Sequence, residues 1–330
     1  MSVLIVGGAG YIGSQTAKCV AGAGQTPVVL DNLVHGHQWA VNWGPFVHGD
    51  LSDAALIGRV LAEHRATSVI HFAAYTNVGE SVRSPRKYFR NNVVNTLNLL
   101  DAMIDNGVRD IVFSSTCATY GEPSEVPISE SHPQHPVNPY GESKLAVERI
   151  LHSYGRAYSI RFAVLRYFNA AGADPDGDVG EDHDPETHLI PLAVGAALDH
   201  HSELSIYGTD YPTPDGTAIR DYIHVADLAA AHRLALEHLA RGGDNLYLNL
   251  GTGRGHSVRQ VVSAVEAISG RRVSVREIGR RMGDPPQLVA DARRAEQVLH
   301  WRPAYPEIET MVRHAFAWHE RRRSLRLTHD

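Results

Sequence analysis

Over the first 170 residues, short apolar runs alternate with longer amphipathic stretches, and that rhythm leaves few folds open. VLIV (3–6), PVVL (27–30), SVIHFAA (68–74), DIVFSS (110–115) and FAVLRYF (162–168) have the apolar character of strands buried on both faces. Between them, residues 12–23, 53–64, 91–106 and 142–155 carry helix-like patterns. In NNVVNTLNLLDAMI, Val93, Leu97, Leu100 and Ile104 recur at helical spacing, with Asn95 and Asn98 nearer the other side. Strand and helix in regular alternation predict an α/β chain built on a doubly wound parallel sheet.

After Phe168 the rhythm breaks. AGADPDGDVGEDHDPETH (171–188) is an acidic Gly/Pro/Asp loop, followed by LIPLAVGAAL, a strand-like LSIYG and a second polar loop, TDYPTPDGTAIRD. Helices are expected again at 225–240, 257–269 and 307–320, interrupted by strand-like LYLNLG (246–251). This half is smaller, loopier and interleaved with the first, with no internal repeat or low-complexity linker.

The 330 residues are 43% hydrophobic and 21% charged, which excludes disordered and fibrous classes. A formal charge of −6 argues against nucleic acid or an anionic membrane as the main partner. The basic stretch RRVSVREIGRR (271–281) is either a local phosphate pocket or a solvated face. Cys19 and Cys117 are too few for a disulfide scaffold or a zinc site and suit a reducing compartment. No apolar run approaches the length of a membrane span, and the strand-like run at residue 3 leaves no room for a signal peptide, so a soluble cytoplasmic protein is expected.

Gly7, Gly10 and Gly13 are spaced G-x-x-G-x-x-G between the first strand and the first helix. Glycines there allow a tight turn and close backbone approach to a pyrophosphate, while the helix start offers free N–H groups and a positive dipole end. Asp31 closes the second strand about twenty residues on, where a carboxylate accepts hydrogen bonds from both adenosine ribose hydroxyls and repels a 2′-phosphate, favouring NAD over NADP. The competing role for Asp31 is a helix or turn cap. Asp50 and Leu51 end another run where an adenine could rest, and Phe72, Ala73 and Ala74 stand over the same groove. Taken singly, Phe72 and Ala73 read as core.

Strand five ends in FSSTCATYG, bringing Ser114, Ser115 and Thr116 to the ligand-binding edge. NPYGESK (138–144) sets Tyr140 one helical turn before Lys144, so the two share a face. A cation beside a phenol lowers its pKa and makes it usable as an acid or base, with a hydroxyl of strand five steadying the substrate hydroxyl. Pro139 and Gly141 read as the bend that aims the phenol. Alone, the pair reads better as an ordinary helix start beside a solvated lysine.

Together these motifs resemble the extended short-chain dehydrogenase/reductase family. LRYFNAAGA, DYPTPDGTAIRDYIHVADLA, NLGTGRGHSV and RRMGDPPQLVAD resemble its UDP-glucose 4-epimerase subfamily, with similarity running from the first strand to about residue 320. The resemblance implies a Rossmann-like doubly wound parallel sheet with a smaller, interleaved α/β substrate-binding domain. Residues 1–170, with segments near 215–250 returning to them, would form the NAD-binding domain, and 171–330 mainly the substrate-binding domain. It implies bound NAD, a UDP-sugar substrate, and a homodimer formed through helices 91–106 and 142–155.

Carried onto this chain, the resemblance makes Tyr140 the base at the sugar 4-hydroxyl, Thr116 its hydrogen-bonding partner, and Lys144 the ligand of the nicotinamide ribose that tunes the tyrosine. NAD would be held by Gly7, Gly10, Tyr11, Ile12 and Gly13, by Asp31, Asn32, Asp50 and Leu51, by Phe72, Ala73 and Ala74, and by Asn91, Ser114 and Tyr167. The nucleotide sugar would meet Phe168, Asn169, His188, Leu189 and Tyr207, with Arg220, Arg281 and Asp284 on the diphosphate and uridine ribose. The implied reaction removes hydride and proton from C4, turns the 4-keto sugar about its diphosphate link, and returns hydride to the other face.

The chain also departs from that pattern. Tyr75-Thr76-Asn77 stands where relatives often carry a lysine or a small residue, which would remove one cofactor contact. Cys117 and Ala118 follow Thr116, and no glutamate precedes Glu122, which argues against the related 4,6-dehydratase and UDP-glucuronate decarboxylase reactions. Leu288, at the position governing sugar size, is intermediate, so N-acetylhexosamines stay open beside UDP-glucose and UDP-galactose, and pentoses such as UDP-xylose or UDP-arabinose stay open because related UDP-xylose epimerases share SSTCATYG and the DYPT-x-DGT loop. A NAD-sensing binding module is the non-enzyme alternative; such a module would be expected to lose the tyrosine or lysine that this chain keeps.

No metal is expected. Asp174, Asp176 and Asp178 have EF-hand spacing, but Val179 replaces the turn glycine and Pro185 the bidentate glutamate. Among twenty histidines there is no H-E-x-x-H, and His132 and His135 lie in a proline-rich loop. Trp301 and Trp318 read as packing residues.

Overall fold

The computed structural model describes residues 1–199, 202–281 and 283–327. Its strands in chain order are β1 (Ser2–Val6), β2 (Thr26–Asp31), β3 (Phe46–His48), β4 (Ala66–His71), β5 (Asp110–Thr116), β6 (Arg161–Tyr167), β7 (Asn169–Ala171), β8 (Leu204–Tyr207), β9 (Ile219–His224), β10 (Leu246–Leu250), β11 (Gly255–Ser257), β12 (Val275–Ile278) and β13 (Gln287–Leu288). Seven of them form one sheet in the order β3-β2-β1-β4-β5-β6-β10. Every neighbouring pair in it is parallel. The five apolar runs are its five central and flanking strands, and LYLNLG, from the second half, supplies the edge beyond β6.

Side chains alternate across the sheet, which produces two cores. Val3 and Ile5 of β1 face one, with Ala17 and Val20 of the helix Tyr11–Gly22 and Leu228, Ala235 and Leu239 of the helix Val225–Ala240. Leu4 and Val6 face the other, against Ile57, Leu99, Met103, Val147 and Leu151 of three further helices. The doubly wound α/β arrangement follows: helices on both faces, and the order of strands reversing between β1 and β4. In the second half β9 joins β7, β11 and β13 in a small sheet, while β8 and β12 pair separately. A third core lies among the helices Leu189–Leu198, Val258–Ser269 and Ile308–Leu327. Among the described residues no helix is long and apolar enough to cross a membrane.

The helix expected over 307–320 runs on to Leu327, and two helices beside the site also differ from expectation. The one expected over 142–155 runs Pro139–Tyr158. It starts early because the Asn138 side chain accepts the Gly141 N–H at 2.9 Å and Pro139 pre-sets the first turn. Gly141 is therefore helical, not a bend. A Cβ there would lie 2.5 Å from the Ala118 carbonyl oxygen, so glycine lets this helix press against the segment leaving β5. The stretch expected as one helix over 91–106 contains a π-helical turn, Phe89–Val94, before the α-helix Asn95–Asp105.

The acidic loop is closed by a side chain that sequence spacing does not reveal. Lys18 Nζ lies 2.6, 2.7 and 2.8 Å from carboxylate oxygens of Asp174, Asp176 and Asp178. Gln15 adds a bond to Asp174 at 3.1 Å. An ammonium thus fills the centre of the triad and ties this loop to the first helix.

Helix Pro139–Tyr158 is held to the sheet by buried charge. Arg166 of β6 meets Glu148 at 2.7 Å, with side chains only 4% and 2% exposed. Ser115 donates to the same carboxylate at 2.6 Å, and Arg166 donates to the Tyr120 hydroxyl at 2.9 Å. Removing one partner strands the other charge in a dry interior. Arg166→Met should lower unfolding free energy by about 3–5 kcal/mol, read from urea denaturation. Adding Glu148→Leu should restore most of that loss.

Candidate active site

The β1-to-helix turn is built for close approach. Gly7 has φ +78°, and a Cβ on it would lie 2.6 Å from the Ala73 amide nitrogen. A Cβ on Gly13 would lie 2.2 Å from the Gly7 carbonyl oxygen. Any larger residue at either position forces the β1 and β4 ends apart or distorts the turn. Gly10 is the N-cap of the helix Tyr11–Gly22, where no side chain caps the helix and no acidic residue occupies the first turn. Such an uncapped, carboxylate-free helix start at the sheet's switch point is suited to an anion. Tyr11 is anchored through its hydroxyl to the Gly172 carbonyl at 2.6 Å, and Ile12 packs on the adjacent core.

Asp31 combines both roles considered for it. It stands at the end of β2, and its carboxylate accepts the Ala9 N–H at 3.0 Å and the Leu33 N–H at 2.8 Å. It therefore braces the glycine turn from the side where a ribose would bind. Burial raises its pKa, and the two N–H bonds oppose that rise. Asn32 donates to Asp50 at 2.5 Å, linking the ends of β2 and β3. Leu51 is buried, and its carbonyl accepts from Asn98 at 2.9 Å. Phe72 and Ala73 are half-buried against opposite cores, and Ala74 follows them.

In the Tyr75-Thr76-Asn77 loop, which has no lysine of its own, one arrives from a neighbouring helix. Lys87 Nζ sits 4.0 Å above the Tyr75 ring and pairs with Glu80 at 2.7 Å. Asn91 is half-buried and donates to Asn92 at 3.0 Å. Asn92, absent from the sequence-derived set, is buried in the π-helical turn. It accepts the Tyr75 N–H at 2.9 Å and donates to the Ser143 hydroxyl at 3.0 Å. The doubled asparagine was its only signal; its orientation follows from the local π geometry.

The reactive side chains converge at the carboxyl end of β5. Ser114 Oγ lies 2.5 Å from the Tyr167 hydroxyl, and its carbonyl accepts from Lys144 Nζ at 2.8 Å. Thr116 ends the strand, and its hydroxyl accepts the Ala118 N–H at 3.2 Å. Tyr140 and Lys144 are both buried one turn apart on the facing helix. Ser115, of opposite side-chain parity, turns to Glu148 instead.

The electrostatics reverse one expectation. Burial pushes the Tyr140 phenol up, with Tyr167 adding to the rise and the Thr116 hydroxyl acting against it. Lys144 does not pull it down because burial brings the lysine itself down to about 7, with Glu148 opposing that shift. Burial likewise pushes Tyr167 up to about 12, against the Ser114 bond. In the chain by itself, dehydration outweighs the cation.

The second half contributes two arginine pairs and an apolar wall. Arg220 meets Asp284 at 2.9 Å, and its β-bridge partner on β13 is Leu288. Exposed Arg281 stacks 3.7 Å over the Tyr207 ring. Leu288 packs against the cluster of Cys117, Tyr120, Ile128, Phe168 and Ala290, which joins that wall to the segment after Thr116. Asn169 donates to the Asp221 carbonyl at 2.9 Å. Leu189 opens the helix Leu189–Leu198, with His188 at its N-cap.

His188 belongs to a separate cluster with Glu181, His183 and Glu186. Burial alone would raise Glu181, but the two imidazoles hold it down to about 2. His183, which burial would lower, is raised by Glu181 and Glu186 to about 10. The sequence-derived set missed Glu181, His183 and Glu186; their E-x-H-x-x-E-x-H spacing was the available signal.

Residues 3–251 match the NAD dependent epimerase/dehydratase family. A UDP-glucose 4-epimerase of Rhizobium leguminosarum bv. trifolii is 51% identical over 318 residues, covering 96% of this chain and 97% of that protein. The crystal structure of UDP-glucose 4-epimerase from Brucella ovis in complex with NAD is 53% identical, with TM-score 0.94 over 96% of this chain and 97% of that one. The Stenotrophomonas maltophila enzyme, solved with NAD and formylated UDP-arabinopyranose, is 37% identical with TM-score 0.95, covering 98% of this chain and 99% of its own.

The Lys144 shift has a measurable consequence. Above about pH 7 the folded protein sheds this proton, whereas the unfolded chain keeps it to about 10.5. The unfolded state then binds more protons, so this residue makes stability rise with pH across that window. From pH 7 to pH 9, wild type should gain on the order of 1–3 kcal/mol relative to Lys144→Met, measured by urea unfolding at both pH values.

Proposed function

The chain belongs to the NAD dependent epimerase/dehydratase family, and on that premise we propose that it inverts C4 of a UDP-sugar, interconverting UDP-glucose and UDP-galactose through a transient 4-keto sugar. One observation carries the chemistry: Tyr140, Lys144, Ser114, Thr116 and Tyr167 gather at the end of β5, on the edge of the sheet that also bears the glycine turn. Residues fit for NAD surround that turn: its uncapped helix start, Asp31 beside it, and the close approach of Gly7 to Ala73. Asn32, Asp50, Leu51, Phe72, Ala74 and Asn91 complete the proposed cofactor set. When bound, NAD supplies the hydride acceptor and a cationic ring.

Tyr140 takes the 4-hydroxyl proton and later returns one, while Thr116 steadies the same oxygen. Lys144, fixed through the Ser114 carbonyl, orients the ribose side of the site. Arg220 and Arg281 grip the diphosphate, since a guanidinium fork donates paired charged hydrogen bonds. Asp284 and Tyr207 accompany them at the nucleotide. Phe168, Asn169, His188, Leu189 and Leu288 border the sugar. Inversion needs a loosely held sugar beside a firmly held nucleotide, and an apolar Leu288–Phe168 wall suits that division.

Residues 1–170 and the segment returning near 215–250 serve NAD in this reading, and 171–330 mainly serve the sugar nucleotide. We further propose a cytoplasmic homodimer acting in galactose metabolism. Exposed Phe89, Val94 and Tyr158, on or adjoining the helices assigned to the contact, support the dimer.

Tyr140→Phe should lower the interconversion rate by about 10²–10⁴-fold while NAD, extracted and quantified from the purified protein, stays bound. Gly13→Ala should lose NAD. Wild-type protein is tested without added reductant on UDP-glucose, UDP-galactose, UDP-N-acetylglucosamine and UDP-xylose. Turnover of none overturns the proposal; preference for an N-acetylated or pentose member reassigns the substrate.

A further inference from the structure

We propose that Glu181, His183, Glu186 and His188 form a binding site for one divalent transition-metal ion of the zinc type. The inference goes beyond the epimerase chemistry, shares His188 with the sugar border proposed above, and reverses the expectation that the chain binds no metal. One ligand atom from each residue lies within 4.8 Å of all the others. Tetrahedral coordination with bonds near 2 Å separates ligand atoms by about 3.3 Å. His183 Nδ1 is 3.1 Å from Glu181 Oε1, and Glu186 Oε1 is 3.8 Å from each imidazole Nδ1. His188 hydrogen-bonds Glu181 more closely than an intervening ion allows, so its half-exposed side chain must draw back from Glu181 to ligate.

The cluster is anchored at its buried end. Glu181 is almost fully buried, and its carbonyl accepts from Trp318 Nε1 at 2.8 Å. The His183 ring meets Tyr11 edge-on at 6.5 Å and His188 at 5.5 Å. Among the described residues no lysine or arginine pairs with Glu181 or Glu186, unlike the aspartate triad filled by Lys18. Two imidazole nitrogens with two carboxylates select zinc-like ions over calcium or magnesium, which prefer all-oxygen sets. The imidazoles must be deprotonated to ligate, so the ion displaces their protons and binding strengthens as pH rises.

The test uses untagged full-length protein stripped with a chelator and titrated with Zn²⁺ against a chromophoric zinc indicator. Zinc-edge X-ray absorption is then recorded on the 1:1 complex. The expected result is one ion per chain in the micromolar range or tighter, with imidazole nitrogen and carboxylate oxygen in its shell. His183→Asn and Glu186→Gln should each weaken binding by at least about tenfold. Absence of binding in that range overturns the proposal. So does binding unchanged in both variants, which would assign the ion to others of the chain's twenty histidines. An absorption spectrum without imidazole ligands likewise overturns it, independently of how the variants fold.

Discussion

The buried Arg166–Glu148 ion pair sets the register on which the site depends. Glu148 lies one turn beyond Lys144, which lies one turn beyond Tyr140, so all three share a face of the helix Pro139–Tyr158. Glu148 meets both Arg166 of β6 and Ser115 of β5. Sliding the helix by a residue would strand two charges in the interior, at a cost of about 3–5 kcal/mol. The phenol and the ammonium are thus positioned by a contact that takes no part in the proposed reaction. Glycine at 141 permits the close packing, and the ion pair makes it specific.

The site is dry, and its dryness governs its charge. Burial lowers His71 to about 3 and His232 to about 4, so both imidazoles are neutral at physiological pH. His71 bonds to Thr96 at 2.9 Å, and His232 packs at a tilt against the Phe72 ring. Lys144, which donates to the Ser114 carbonyl at 2.8 Å, is itself poised near neutrality. Burial keeps the Tyr140 phenol protonated in the chain by itself, and in the proposed reaction a cationic ring in the cofactor groove would favour its ionisation.

Much of this was legible in one dimension because its causes are local. Apolar runs became sheet strands since burial on both faces requires continuous apolar sequence. The glycine turn was legible since only glycine tolerates its contacts, as at Gly7 and Gly13. The reactive pair followed from helical spacing, although the helix began three residues earlier than its amphipathic pattern, at a cap. What stayed hidden depends on distant partners. Lys18 meets aspartates more than 150 residues away, Lys87 covers Tyr75 from another helix, and Asn92 reaches Ser143 through a local π turn. The phenol's pKa was misjudged because spacing reveals a neighbouring cation but not the depth at which both lie.

The contact between Lys18 and the aspartate triad has a mechanical meaning. It clasps the loop leading to the Glu181–His188 segment onto the helix whose start faces the glycine turn. Swinging the two halves apart would tear three charged contacts at once. A catalyst that exchanged its cofactor at every cycle would be hindered by such a clasp. One that regenerates its cofactor in place has no need of a door that wide, only of a gap through which a sugar nucleotide can pass.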